Sequence, residues 1–463
     1  MINPPSTHLP SRRKTLTSLD QSEQCMATIV RPDRYRDLQQ TLAGSSPIIA
    51  RGQGLSYCLA SGADGGLTIN MSEFRRITDF VAPLHNKSSA TIEVEAGLPL
   101  GHLLEFLVAN GYWFPVLPGY PSITIGGALA MNIHGKSQFH YGLFGEHVES
   151  LTLLHPIHGE IFCSRESNRE VFDLTIGGFG LTGIITRVRL KISPLKGNSI
   201  ERHRVAINSL DAAVELMRKS HGPGDTQFEQ TYSWHDLNRR GAGFGSGFVY
   251  LERLTQDTLS QAPSHCVLRS PRLKADFVQP AWAVVARPSL QRYLNSAYRI
   301  KEMLSPAKRR FDLLQGSFPF LGNEIYFHLA GTRGFHEMQI TVPLSAWQRF
   351  NAGLERLLSD HKIVTTLGSL KLFRGEQSLL NFQKEGVSVA IDIPRQIGDL
   401  MFMAKVDKLM LDCDGIPNIA KDSRLSAQVI SQAYPGYAEF KRRLVASDPS
   451  VRMQSMLRKR LDV

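Results

Sequence analysis

Cysteine is scarce in this chain. Cys25, Cys58, Cys163, Cys266 and Cys413 are spread through 463 residues without a C-x-x-C pair. That spacing argues against a disulfide framework and against a structural zinc site, and it fits a reducing, cytoplasmic setting. No stretch approaches the roughly 18 uninterrupted apolar residues that a membrane span needs. There is no internal repeat and no nucleic-acid-binding motif. Acidic side chains are in the minority, 42 against 53 Lys and Arg, for a net charge of +11. The tracts Lys308-Arg309-Arg310, Lys441-Arg442-Arg443 and Arg458-Lys459-Arg460 are either solvated helix faces or surfaces for an anionic partner such as acidic lipid or a phosphorylated substrate.

What is present is ordinary globular composition, 42% hydrophobic and 21% charged. The length favours two domains over one large core. Residues 1–25 are rich in Ser, Thr and Pro, carry Arg12, Arg13 and Lys14, and lack the apolar stretch of a secretory signal. They read as a flexible, basic N-terminal extension.

Beyond that extension, residues 48–71 read as a short strand, a glycine loop and a second strand, and Ile92, Val94 and Ala96 alternate as a third. Leu100, Leu103, Leu104 and Leu107 follow at helical spacing, with Gly111 placed for a left-handed cap. The connections look too short for parallel crossovers. His155 to Gly159 reads as a hairpin turn, and Val188, Leu190 and Ile192 as a strand that ends near Pro194. From about Lys196 the texture changes. The glycine-rich run 241–247 and the basic, weakly periodic segment 268–316 suggest mobile loops or a lid. Residues 338–342 and the alternating Val387, Val389, Ile391 and Ile393 are strands. Ser345 and Gln348 suggest a capping box before a helix carrying Trp347, Phe350 and Leu354, and residues 399–412 form another helix. A sheet covered by helices is the natural packing.

Three glycine-rich segments stand out: Arg51 to Tyr57, Pro118 to Lys136, and Gly177 to Ile185. Glycine lets backbone N–H groups approach a pyrophosphate closely, because it has no Cβ and tolerates positive φ. The third segment contains Gly178-x-Gly180-x-x-Gly183, yet residues 184–192 alternate as a strand where a nicotinamide-binding fingerprint needs a helix. It is a tight turn or an anion loop, and the chain shows no nicotinamide site.

Taken in order, R-G-x-G-x-S-Y from Arg51, P-G then T-x-G-G-A from Pro118, N-x-H-G-K from Asn132 and G-G-x-G-L-T-G-I-I from Gly177 resemble the FAD domain of the vanillyl-alcohol-oxidase superfamily, also called PCMH-type. Lys371-Leu372-Phe373 and Ala420-Lys421-Asp422-Ser423-Arg424 are similar to later segments of a branch acting on lipid-linked sugars. The resemblance implies an α+β, two-domain fold. A flavin domain discontinuous in sequence (26–195 and 416–463) would enclose an antiparallel-sheet substrate domain with covering helices (196–415).

It further implies that FAD is lined by Arg51, Gly52, Gln53, Gly54, Leu55, Ser56, Tyr57, Gly119, Thr124, Ile125, Gly126, Gly127, Met131, Asn132, Ile133, His134, Ile185 and Asn418. In several branches a histidine bonded to the flavin occupies the position of Leu55, so the FAD is expected to be non-covalent. Asn418 stands where a member of the branch has Tyr, which leaves its contact open. Lys421, and after it His134, would stand at the reacting hydroxyl, Lys421 as a desolvated lysine with a lowered pKa. Tyr57, Lys136, Glu337, Gln339, Lys371 and Ala390 would line the substrate cavity, with Lys136 or Lys371 binding a phosphate or sugar hydroxyl. The Glu337 carboxylate, where the branch has Gln, would disfavour an anionic group nearby. No metal is expected.

The activity implied is oxidation of a secondary alcohol of a sugar or lipid-linked sugar, most simply the 2-hydroxyl of a polyprenylphosphoryl pentose. An alditol, lactone or secondary-metabolite oxidase and a non-catalytic flavin protein are the alternatives. The implied partners are a separate nicotinamide-dependent reductase and, through the basic tracts, a membrane surface.

Overall fold

A computed structural model describes residues 9–83, 90–221, 228–256, 288–328 and 334–463. The stretch from 257 to 287, within the expected lid, lies outside the described residues, as do residues 1–8 of the expected extension. The described part of that extension is ordered: β1 (Ser11–Thr17) pairs antiparallel with β2 (Gln24–Val30), Ser11 opposite Val30. The polar composition concealed this pairing because β1 is an edge strand, exposed along most of its length. Edge strands carry such charge without penalty.

The first sheet has the order β1-β2-β4-β3, where β3 is Ile48–Arg51 and β4 is Leu67–Asn70. Both β2 and β3 run parallel to β4. The expectation of no parallel crossover is therefore corrected. The connection from Gly52 to Gly66 is long enough to return the chain, and it is the glycine loop itself. Ile48 also donates to the Arg452 carbonyl at 2.8 Å and accepts from Gln454 N at 2.9 Å, so the strand before the loop is fastened by the C-terminal tail. Between β2 and β3 the sequence reading omitted a short helix, Tyr35–Leu42.

The second sheet is antiparallel, β5-β6-β9-β7-β8, with β5 Ile77–Val81, β6 Thr91–Glu95, β7 Val148–His155, β8 Gly159–Ser164 and β9 Ile184–Lys191. The 155–159 turn closes a hairpin between β7 and β8 as expected. Helix α1 (Leu100–Ala109) turns Leu100, Leu103, Leu104 and Leu107 into the core, and Gly111 at φ 77° follows its end. Strand β9 begins at Ile184 directly after the third glycine segment, as its alternation requires.

Among the described residues the third sheet is wholly antiparallel, with eight strands. Its members are β10 (Ser199–Ile207), β11 (Gln230–His235), β12 (Gly247–Thr255), β13 (Lys308–Phe311), β14 (Phe335–Val342), β15 (Leu367–Phe373), β16 (Gly386–Pro394) and β17 (Ile416–Pro417), in the order β13-β10-β12-β11-β15-β16-β14-β17. The segment expected to be weakly structured contains a 17-residue helix, α2 (Pro288–Leu304). Helices α3 (Trp347–Asp360) and α4 (Asp399–Asp412) pack on the sheet through Phe350, Leu354, Phe402 and Met403. The capping box at Ser345 is not formed. Residues Leu344–Ala346 make a 3-10 turn after Pro343, which places Ser345 inside the turn and leaves Ala346 as a cap without a side-chain bond. One apolar cluster runs from Val30 through β14, β15 and β16 to Leu461, so the first and third sheets share a core.

Candidate active site

A cavity of about 900 Å³ opens between the glycine segments and the third sheet, toward the upper end of the roughly 300–1,000 Å³ usual for small-molecule sites. Its glycine wall is made of two loops in contact. A Cβ on Gly52 would lie 2.2 Å from Thr124 Oγ1, and one on Gly126 would lie 2.9 Å from the Ala96 Cβ. Side chains there would fill the cradle, so the wall presents backbone. Thr124 caps the turn that follows by accepting from Gly127 N at 3.3 Å. This backbone-lined groove fits an extended dinucleotide such as FAD.

The expected cofactor residues are largely brought together. Gly52 to Tyr57, Gly119, Thr124, Gly126, Gly127, Met131 to His134, Ile185 and Asn418 all line the cavity. Two stand behind the wall. Ile125 is fully buried in the second sheet's core, and Arg51 donates to Ser61 Oγ at 2.8 Å while its guanidinium lies against Gly54. Asn418 donates to Gln339 Oε1 at 2.8 Å and accepts from Ala420 N at 3.1 Å, shaping the turn that presents Lys421. Ser56 ties the first glycine loop to that turn by donating to the Ala420 carbonyl at 3.2 Å.

The opposite wall is one face of the third sheet. Strand parity places Glu337 and Gln339 of β14, Lys371 of β15, and Ser388, Ala390 and Asp392 of β16 on it, with Gln339 opposite Ala390 and Glu337 opposite Asp392. Lys421 Nζ lies 3.1 Å from the Glu337 carboxylate and 4.2 Å from the centre of the Tyr57 ring. Its side chain is 31% exposed, so the expectation of a desolvated Lys421 is corrected. The buried amine is Lys371, whose ammonium is pushed down to about 8 by burial and by the nearby Lys421 charge. Burial, with Lys371 adding to it, also keeps the His134 imidazole well below its ordinary range and therefore neutral. His134 Nε2 accepts from Gln339 Nε2 at 2.9 Å, and its buried Nδ1 has no hydrogen-bond partner among the described residues.

Lys136 does not serve as the expected free cation. Its Nζ is buried between the Glu252 carboxylate and the Gly316 carbonyl, and Arg202 Nε donates to the other Glu252 oxygen at 2.5 Å. Burial pulls the Lys136 ammonium below its ordinary range. For Glu252 burial works the other way, but Arg202 and Lys136 outweigh it and hold the carboxyl low. The triad is a structural brace at the cavity edge.

Sequence reasoning missed Asp392 and Tyr326. Tyr326 donates to Asp392 Oδ2, whereas Asp392 Oδ1 is buried without a hydrogen-bond partner among the described residues. Burial, then the Glu337 charge directly across the strand pair, drives the Asp392 carboxyl well above its ordinary range. The signal was available: if Val387, Val389, Ile391 and Ile393 face the core, then Ala390 and Asp392 share the other face. Tyr326, on a short 3-10 helix (Glu324–His328), gave none.

The FAD binding domain family matches residues 26–162. Decaprenylphosphoryl-beta-D-ribose oxidase of Mycolicibacterium smegmatis is 29% identical over 91% of this chain and 90% of its own length. An uncharacterized protein of Streptomyces coelicolor is 26% identical over 79% of this chain and 100% of its own. Cytokinin dehydrogenase 4 of Oryza sativa subsp. japonica is 27% identical over 36% of this chain and 33% of its own. With the glycine cradle and these relatives together, the chain carries a PCMH-type FAD-binding domain over residues 26–162 and is an FAD-dependent oxidoreductase.

Proposed function

We propose that the protein oxidises a secondary alcohol of a sugar to the ketone, with the 2-hydroxyl of a polyprenylphosphoryl pentose as the favoured substrate. The observation that carries this reading is the sheet wall, where Lys421, Glu337, Lys371, Gln339 and Asp392 face the glycine cradle. Such a density of donors and acceptors suits a hydroxylated ligand. The name of the mycobacterial relative supports the same substrate class.

When bound, FAD supplies the acceptor for the carbon-bound hydrogen and its two electrons. The chain's part is to hold the alcohol and take the hydroxyl proton. Lys421, fixed by Glu337, donates a hydrogen bond to the alcohol oxygen. Lys371, with an ammonium near 8, is in part a neutral amine at physiological pH and receives the proton. Neutral His134 orients Gln339. A ketone left on its carrier would suit a separate nicotinamide-dependent reductase, and the net change would then be epimerisation.

A second reading, an alditol or sugar-lactone oxidase, is favoured by Glu337, whose carboxylate repels a phosphate placed beside it. Stopped-flow mixing of the yellow protein, without oxygen, with a polyprenylphosphoryl pentose, alditols and lactones separates the two. Rapid bleaching by the lipid-linked pentose is expected. Bleaching by alditols or lactones alone selects the second reading, and no bleaching by any of them leaves a non-catalytic flavin protein.

A further inference from the structure

Helix α2 is amphipathic in the wrong sense for a surface helix. Its inner side is polar. Asn295 donates to the Thr365 carbonyl at 3.2 Å, Tyr298 shares a hydrogen bond with Tyr250 at 3.1 Å, and buried Glu302 accepts from Tyr250 and from Arg309, the latter at 2.6 Å. Its outer side carries Tyr293, Ile300, Met303 and Leu304, which are 72%, 58%, 60% and 83% exposed. At 3.6 residues per turn Tyr293, Ile300 and Leu304 lie in one row, with Met303 beside them. A surface helix ordinarily buries its apolar row and exposes its polar one.

Three further facts say what covers this row. Arg292 and Arg299 flank it on one side and Lys301 on the other, while the one carboxylate between Arg292 and Leu304, Glu302, is turned inward. An apolar row edged by cations matches an anionic lipid surface, where the row sinks into the headgroup boundary and the cations meet phosphate. Leu294, Asn295, Tyr298, Lys301 and Glu302 also line the cavity, so the helix that would lie on the bilayer forms part of the cavity wall. Among the described residues no helix is long and apolar enough to cross a membrane.

We propose that α2 docks the protein on an anionic membrane surface, with Tyr293, Ile300, Met303 and Leu304 inserted at the headgroup level and the cavity held against the bilayer. A substrate carried on a lipid would then enter without leaving its membrane. The docking stands on the helix alone, whereas the entry route rests on the proposed substrate class.

The test is co-sedimentation of the flavin-loaded protein with phosphatidylglycerol vesicles and with phosphatidylcholine vesicles, in low and in raised salt. Binding to phosphatidylglycerol, weaker binding to phosphatidylcholine and loss in salt are expected. Ile300→Glu with Leu304→Glu removes two inserted side chains and should lower the partition at least about tenfold. Both positions are exposed, so the variant should keep the wild-type melting temperature. Tyr293→Glu with Met303→Glu repeats the test independently. The proposal is overturned if the wild type stays in the supernatant with both vesicles, or if either variant binds as the wild type does. A wild-type dimer that Ile300→Glu with Leu304→Glu makes monomeric would overturn it as well, because a second copy would then cover the row. No sugar is present in this assay, so its failure leaves the sugar-oxidation reading standing, and the reverse also holds.

Discussion

Replacing Lys136 or Glu252 distinguishes a structural brace from a substrate ligand. Glu252 is wholly buried and has two cations, Lys136 and Arg202, and Lys136 also donates to the Gly316 carbonyl and lies over the Tyr232 ring. Removing one member of a buried pair strands the other charge, at a cost of about 3–5 kcal/mol. Glu252→Gln leaves two cations facing each other without an anion and belongs at the upper end of that range. In Lys136→Met the carboxylate keeps Arg202, so the loss is smaller, about 3 kcal/mol, including the stranded Gly316 acceptor. The double variant leaves only Arg202 beside a neutral amide, so its loss should fall short of the sum by about 1–3 kcal/mol. Urea unfolding followed by circular dichroism, with FAD in constant excess, reads these differences as midpoint shifts. If Lys136→Met unfolds where the wild type does and instead loses affinity for a phosphorylated sugar, the brace is the wrong description and Lys136 is a ligand.

Three other outcomes are expected. Acid precipitation should release FAD into the supernatant, because Leu55 has no atom able to hold it covalently, whereas colour retained in the pellet would expose a bond to another residue. Gly52→Ala should lower the ratio of bound flavin to protein, read from the visible and ultraviolet absorbance, since its Cβ meets Thr124 Oγ1 at 2.2 Å. Adding Thr124→Ala should restore part of it, and if it restores none the clash is not the cause. If Lys371 takes the proton, the rate of flavin bleaching at low substrate should rise about tenfold per pH unit below about 8 and level off above it, the neutral amine being the competent form. A Lys371→Met variant that keeps the same profile would assign the titration elsewhere.

Much of this site was legible because its chemistry is carried by glycine, which the chain cannot replace where a neighbouring segment leaves no room for a Cβ. Gly52 and Gly126 were visible as motif letters, and the structure supplies the reason in the atoms their Cβ would strike. Strand parity was equally informative: Lys371, Gln339 and Ala390 fall on the cavity face, and the same count would have found Asp392. Long-range pairing was not legible. Nothing local to Lys136 indicates that Glu252 and the Gly316 carbonyl will neutralise it, or that Glu337 will hold Lys421. Parallel pairing of β3 with β4 was missed for a similar reason, since a glycine loop with a function of its own does not look like a crossover. The Ser345 box failed because Pro343 starts a tighter turn that displaces the helix start to Trp347.

The backbone bonds between Ile48 and the segment Arg452–Gln454 set an order of events in synthesis. The first glycine loop leaves the ribosome about 400 residues before the segment that fastens its root, a delay of roughly 20–80 s at ordinary elongation rates. Lys421 also arrives late. The nascent chain therefore cannot fasten this loop around its cofactor before residues 452–454 have been made. A cell short of FAD should accumulate this protein in an apo form, and riboflavin supplied later should rescue it without new translation.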